Sequence, residues 1–192
     1  MSKTPRRADV DEVDLVGGTE IRDLRVVDYD DRWPGEFAEH ERRLRGALGA
    51  VEVDIEHIGS TSVAGLAAKP IIDIVVAVAD ITAEEDYLPQ LLEAGYTLRV
   101  REPGHRLVRT PGLDVHVHIY EKGHEAVENY LLFRDRLRSD ADDRELYAST
   151  KRALIGRGFD DMNAYSDAKT DVVSAIMARA RAARDGEPPT PA

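Results

Sequence analysis

Residues 71–78, Ile-Ile-Asp-Ile-Val-Val-Ala-Val, are apolar except for one side chain. The run falls far short of the ~20 residues that a membrane-spanning helix needs, and no other stretch of the chain comes closer. It reads as a central strand covered on both faces. Its exception, Asp73, constrains the chain further. An ionised carboxylate among aliphatic side chains costs several kcal/mol unless it is paired, hydrogen-bonded or bound to a metal. Asp73 is therefore either a functional group or a strand-end acid that caps a loop or pairs with an arginine.

The flanking segments predict a mixed α/β (α+β) fold. Leu24 to Tyr29 reads as a short strand, and Trp33-Pro34 opens a helix to about Leu48. Val51 to Ile58 alternates, with Val51, Val53, Ile55 and His57 on one face and Glu52, Asp54 and Glu56 on the other. Thr82 and Glu85 have capping-box spacing for a helix that stops before Gly95. Tyr96–Arg101, Arg106–Thr110 and Leu113–Tyr120 read as strands separated by Pro-Gly turns. From Glu125 onward the apolar spacing is helical, including a stripe of Tyr165, Ala168, Val172, Ile176 and Ala180. The expected organisation is a loose arm over 1–20, one domain over 21–183 with a helical C-terminal part, and a proline-rich tail over 184–192.

Charge excludes some partners. Lys and Arg number 26 against 37 Asp and Glu, a formal charge of −11, so general nucleic-acid coating and docking on an anionic membrane are not expected. Five of the cations are lysines: Lys3, Lys69, Lys122, Lys151 and Lys169. The start, MSKTPRRADVDEVD, has no apolar segment behind its basic residues, and the chain has no cysteine for a disulfide, a thiolate metal site or a nucleophile. The cytoplasm is the expected compartment.

Two further features carry possible chemistry. Gly59-Ser60-Thr61-Ser62 lies between a strand and a helix-like segment, where a glycine turn with following amides and hydroxyls can converge on an anion. The plainer alternative is a turn with a serine cap. In Leu113–Ile119, period two puts Asp114, His116 and His118 on one strand face, where two histidines can share a metal or a phosphate. The plainer alternative there is an exposed polar face. His57 reads as a hydrogen-bonded core histidine, and Trp33 and Phe37 as packing between the first helix and the sheet.

The order of these features resembles the nucleotidyltransferase fold: strand, Gly-Ser turn, strand with Asp, later strand with polar residues. More specifically, HIGSTSVAGLAAKPIIDIVV (57–76) resembles the signature of the GrpB family, a small branch of that superfamily also found fused behind dephospho-CoA kinases. VVDYDDRWPGEF (26–37), HVHIY (116–120), YLLFRDRLR (130–138) and YSDAKTDVV (165–173) extend the likeness over roughly 25–180. The resemblance implies a nucleotidyltransferase-like mixed sheet flanked by helices, with C-terminal helices.

It also implies a nucleotide or other phosphate-bearing small molecule as ligand. Gly59, Ser60, Thr61 and Ser62 would hold its phosphates, with Lys69 and either Arg106 or Arg109 adding positive charge. Asp73 would bind metal, with Asp114, His116 and His118 completing the metal site or positioning the acceptor. Mg2+ is the expected ion, with Mn2+ and Zn2+ behind it. The chain departs from the superfamily pattern at Val75, where an active enzyme carries a second carboxylate two residues after the first. Hence three readings stand: a nucleotidyltransferase, a binding module that kept the phosphate cradle without catalysis, and a His/Asp zinc or manganese site with no nucleotide role.

Overall fold

A computed structural model describes residues 14–16, 25–155 and 168–186 of the chain. The elements run β1 (Asp14–Leu15), α1 (Trp33–Leu48), β2 (Asp54–Ile58), β3 (Ile72–Val78), α2 (Leu88–Glu93), β4 (Thr97–Glu102), β5 (His105–Arg109), β6 (Val115–Glu121), α3 (Glu125–Ser139), α4 (Ala141–Ile155) and α5 (Thr170–Asp185). A mixed six-stranded sheet has the order β1-β4-β5-β6-β3-β2. Among the described strands only β3 and β6 pair in parallel, with Asp73 opposite His116 and Val75 opposite His118; the remaining pairs are antiparallel.

Period two along each strand divides the sheet's side chains between two faces. One face carries Ile55, Ile72, Ile74, Val76, Val78, Val108, Val115, Val117 and Ile119, all buried against Trp33, Leu44 and Leu48 of α1 and Leu88 and Leu91 of α2. Burying each such aliphatic side chain contributes roughly 1.5–3 kcal/mol, which is why the β3 run is so uniform. The other face is less apolar. There Ile58, Val75 and Tyr120 pack under Ala126, Val127, Tyr130 and Leu131 of α3. A third cluster, Val63, Leu66, Leu137, Tyr147, Ala148 and Ile176, ties the Gly-Ser loop to α3, α4 and α5. The three helices also share the buried Asp143, which accepts from Arg136 Nε (2.6 Å) and from Arg179. Arginine pairing holds this carboxyl below its ordinary range against the opposing effect of burial.

Several local expectations are corrected. Thr82 does not cap a helix: its hydroxyl and N–H both donate to Asp80 Oδ1 (2.7 and 2.9 Å), and a separate 3-10 turn at Glu84–Asp86 precedes the short α2. Glu84 is drawn inward to Arg101 and Arg106, which tightens that turn. Val27 makes an isolated bridge to Ala68 in place of a full strand. Asp14–Leu15, inside the segment read as a loose arm, pairs with Arg101 and Val100 of β4. Arg184 still belongs to α5. Tyr165 and the residues after 186 lie outside the described part. Among the described residues, no helix is long and apolar enough to cross a membrane.

Candidate functional site

The site forms at the end of β2, on the sheet face that α3 packs against, with Phe133 of α3 in its wall. β2 ends at Ile58, and Gly59 turns the chain with φ +70, a backbone region that favours glycine. Space imposes the same choice: a Cβ on Gly59 would sit 2.5 Å from Asp73 Oδ2. The Gly-Ser turn is thus packed directly against the lone acid of β3. Gly59, Ser60, Thr61, Lys69, Asp73, His116, Phe133, Tyr147, Lys151 and Lys169 surround one open cleft of about 240 Å3.

The turn's hydroxyls divide their work. Ser62 Oγ donates to Gly59 O (2.6 Å), and Thr61 Oγ1 donates to Ile71 O (3.0 Å) while pairing with His57 Nε2 (3.1 Å). Arg138 braces the loop by donating from Nε and Nη2 to Ser62 O. The Thr61 and Ser62 side chains therefore stabilise the turn's shape, and Ser62 does not line the cleft. Ser60 differs, because its Oγ accepts from Lys151 Nζ (3.0 Å) at the cleft wall. His57, stacked on Phe37 at 4.7 Å, is the core histidine expected; burial lowers its pKa to about 4.

Lys151 escaped sequence reasoning. It projects from α4, is 3% exposed, also donates to Ala67 O, and lies 4.6 Å from the centre of the Tyr147 ring. Burial, reinforced by Lys169 and Arg152, pushes its pKa down to about 7. Lys169, just before α5, is likewise lowered by burial, with Asp73 opposing. Three of the chain's five lysines, Lys69, Lys151 and Lys169, thus meet around one cleft.

The parallel β3–β6 register brings Asp73 beside two imidazoles, of which His116 lines the cleft and His118 lies behind it. His116 Nδ1 is 3.5 Å and His118 Nε2 4.0 Å from Asp73 Oδ1. One donor atom from each of the three residues lies within 4.8 Å of the others, so the group is able to hold a metal ion. Ligands about 2.0–2.2 Å from one ion sit roughly 3.0–3.5 Å apart, so the three donors must draw closer to share one. Burial lowers the His118 pKa to about 4, which keeps it neutral. The side chain at Val75 is buried beside Ile58 and Tyr120, so no second carboxylate comes from β3.

Besides Ser62, two expected site residues lie away from the cleft. Arg106 is on the opposite sheet face, 1% exposed, donating to Glu84 Oε1 (2.6 Å) and to the Glu102 and His105 carbonyls. The register pairs Arg109, and not Arg106, with His116. Asp114 also leaves the cluster. Leu113 has φ +62, breaking strand periodicity before β6 begins at Val115. Asp114 accepts from Thr110 Oγ1 (2.6 Å) and lines a different hollow with Arg25, Asp28, Arg32 and His40.

The family profile described as GrpB protein matches residues 23–179. A UPF0157 protein of Streptomyces coelicolor is 66% identical over 179 residues, spanning 93% of this chain and 96% of its own. The crystal structure of the conserved protein GrpB from Enterococcus faecalis matches with TM-score 0.72 at 30% identity, over 81% of this chain and 96% of that one. Cid1 poly(U) polymerase in its Mg 3′-dATP-bound form matches with TM-score 0.51 at 15% identity, over 68% of this chain and 42% of the polymerase. At that identity the likeness is one of fold.

Proposed function

Because the chain belongs to the GrpB family and has a nucleotidyltransferase-like fold, we propose that it binds the phosphates of a nucleoside triphosphate in the cleft between the Gly-Ser turn and Asp73, and transfers the nucleotidyl group to an acceptor, with pyrophosphate as the leaving group. One observation carries the reading: the glycine turn touches the Asp73 carboxylate, and three lysines surround the same cleft.

The chain's own groups have distinct tasks in this reading. Lys69, Lys151 and Lys169 neutralise phosphate oxygens. Ser60 accepts from Lys151 and turns its own hydroxyl proton toward a phosphate oxygen. Lys151 is held near its titration point by burial, so an arriving anion would restore its full charge. Asp73, His116 and His118 hold a divalent ion, whose charge would stabilise the phosphoryl transition state.

Val75 favours a second reading, in which the cradle binds nucleotide without transferring it. Thermal shift with a nucleoside triphosphate, with and without Mn2+ or Mg2+, separates the two. Stabilisation that needs the ion and vanishes in Asp73→Asn supports the metal-dependent enzyme. Equal stabilisation without the ion supports the binder. No stabilisation by any nucleotide removes both.

A further inference from the structure

We propose that Asp73, His116 and His118 form a site for one transition-metal ion, and that Glu102 and His105 position its ligand His118 through a hydrogen-bonded relay. The proposal rests on the reading of these three residues as metal ligands. It adds the class of ion and two positioning residues.

The donor set decides the class. Mg2+ takes oxygen ligands in near-ideal octahedral geometry and keeps several waters. Two imidazoles and one carboxylate instead suit first-row transition ions such as Mn2+, Fe2+, Co2+ and Zn2+. Among the described residues, this trio is the one group of His, Asp and Glu close enough to share an ion, and it contains a single carboxylate. With Val75 apolar, β3 adds no oxygen donor next to Asp73 that would shift the set toward magnesium.

The relay fixes the ligand's proton. His118 Nδ1 is 3.2 Å from His105 Nε2, and His105 Nδ1 is 2.6 Å from Glu102 Oε1. An ionised carboxylate only accepts, so His105 carries its proton on Nδ1 and presents a lone pair at Nε2. That lone pair calls for N–H at His118 Nδ1, which leaves His118 Nε2 unprotonated on the side of Asp73. The reverse assignment would set the His105 Nδ1 lone pair against the Glu102 carboxylate. Tyr120 stacks on His105 at 4.6 Å, with the rings inclined by 15°, and so fixes the plane of the relay. A hydrogen-bonded carboxylate behind a metal-binding imidazole raises ligand basicity and orients the ring.

The full chain, stripped with chelator, is titrated with Co2+ alone, and long-range 15N–1H correlation reads the tautomer of His118 before metal is added. The expected result is one Co2+ per chain with d–d absorption, no displacement by tenfold excess Mg2+, and an Nδ1–H tautomer at His118. Glu102→Gln should weaken Co2+ about 10- to 100-fold and mix the His118 tautomers, while Glu102→Asp restores most of both. Melting of the metal-stripped variants should match wild type, which separates positioning from folding. An Nε2–H tautomer in wild type, two ions per chain, ready displacement by Mg2+, or no Co2+ uptake would overturn the proposal. Co2+ uptake through the relay without nucleotide binding leaves it standing while the nucleotide reading fails. Nucleotide binding with Mg2+ but no Co2+ site does the opposite.

Discussion

Replacing Lys151 with methionine tests the phosphate cradle through its linkage to protons. The folded state holds Lys151 near pKa 7, against an ordinary value of 10.5. Between those values the unfolded chain binds a proton that the folded chain does not, so wild-type stability rises with pH. At about 1.36 kcal/mol per pH unit, and allowing for half-protonation at pH 7, the gain from pH 7 to pH 9 is about 2 kcal/mol. Lys151→Met removes the titration and should lack this rise. Methionine also relieves the penalty of a buried ammonium, and although Ala67 O loses a donor the variant should be the more stable protein at pH 7. The assay is urea unfolding of both proteins at pH 7 and pH 9. Wild-type stability that rises by about 2 kcal/mol relative to the variant between pH 7 and pH 9 supports the account; curves that stay parallel within about 0.5 kcal/mol refute it. Calorimetry of triphosphate binding at pH 8 in buffers of different ionisation enthalpy gives the same information from the ligand side. Wild type should take up protons and Lys151→Met should bind weakly, if at all.

Other perturbations separate the site from its frame. Gly59→Ala drives a Cβ against Asp73 at positive φ, so it should cost at least 1–2 kcal/mol by urea unfolding and abolish nucleotide binding. Glu84→Ala leaves Arg106 buried beside a lost partner and should cost about 3–5 kcal/mol, measured by the same unfolding assay. Asp114→Asn should leave metal stoichiometry, read by elemental analysis, at the wild-type value because Asp114 faces another hollow. Loss of the ion in that variant would return Asp114 to the metal site.

What the sequence could disclose depended on how local each signal was. Asp73 stood out because an acid inside IIDIVVAV has no inexpensive explanation, and His116 and His118 followed from period two within one strand. Those signals lie within single elements, and the β3–β6 register brings the three residues they mark together. Arg106 misled because periodicity within β5 says that 105, 107 and 109 share a face without saying which face; only the pairing of Arg109 with His116 decides. Asp114 misled because its apparent place in the strand depended on a boundary that Leu113 breaks with positive φ. Lys151 and Ser60 are 91 residues apart in sequence, and nothing local marks a helical lysine as buried beside a strand-end serine. Glu102 and His105 had a weak signal, an acid and a histidine flanking a Pro-Gly turn, but their value depends on the hairpin reaching His118.

The most direct test of the central claim is a crystal structure of the protein with a non-hydrolysable nucleoside triphosphate and Mn2+. The account predicts phosphate density against Ser60 and Lys151, with an anomalous peak between Asp73, His116 and His118. Phosphates lodged outside the cleft, or manganese bound in the acidic hollow beside Asp28 and Asp114, would contradict it.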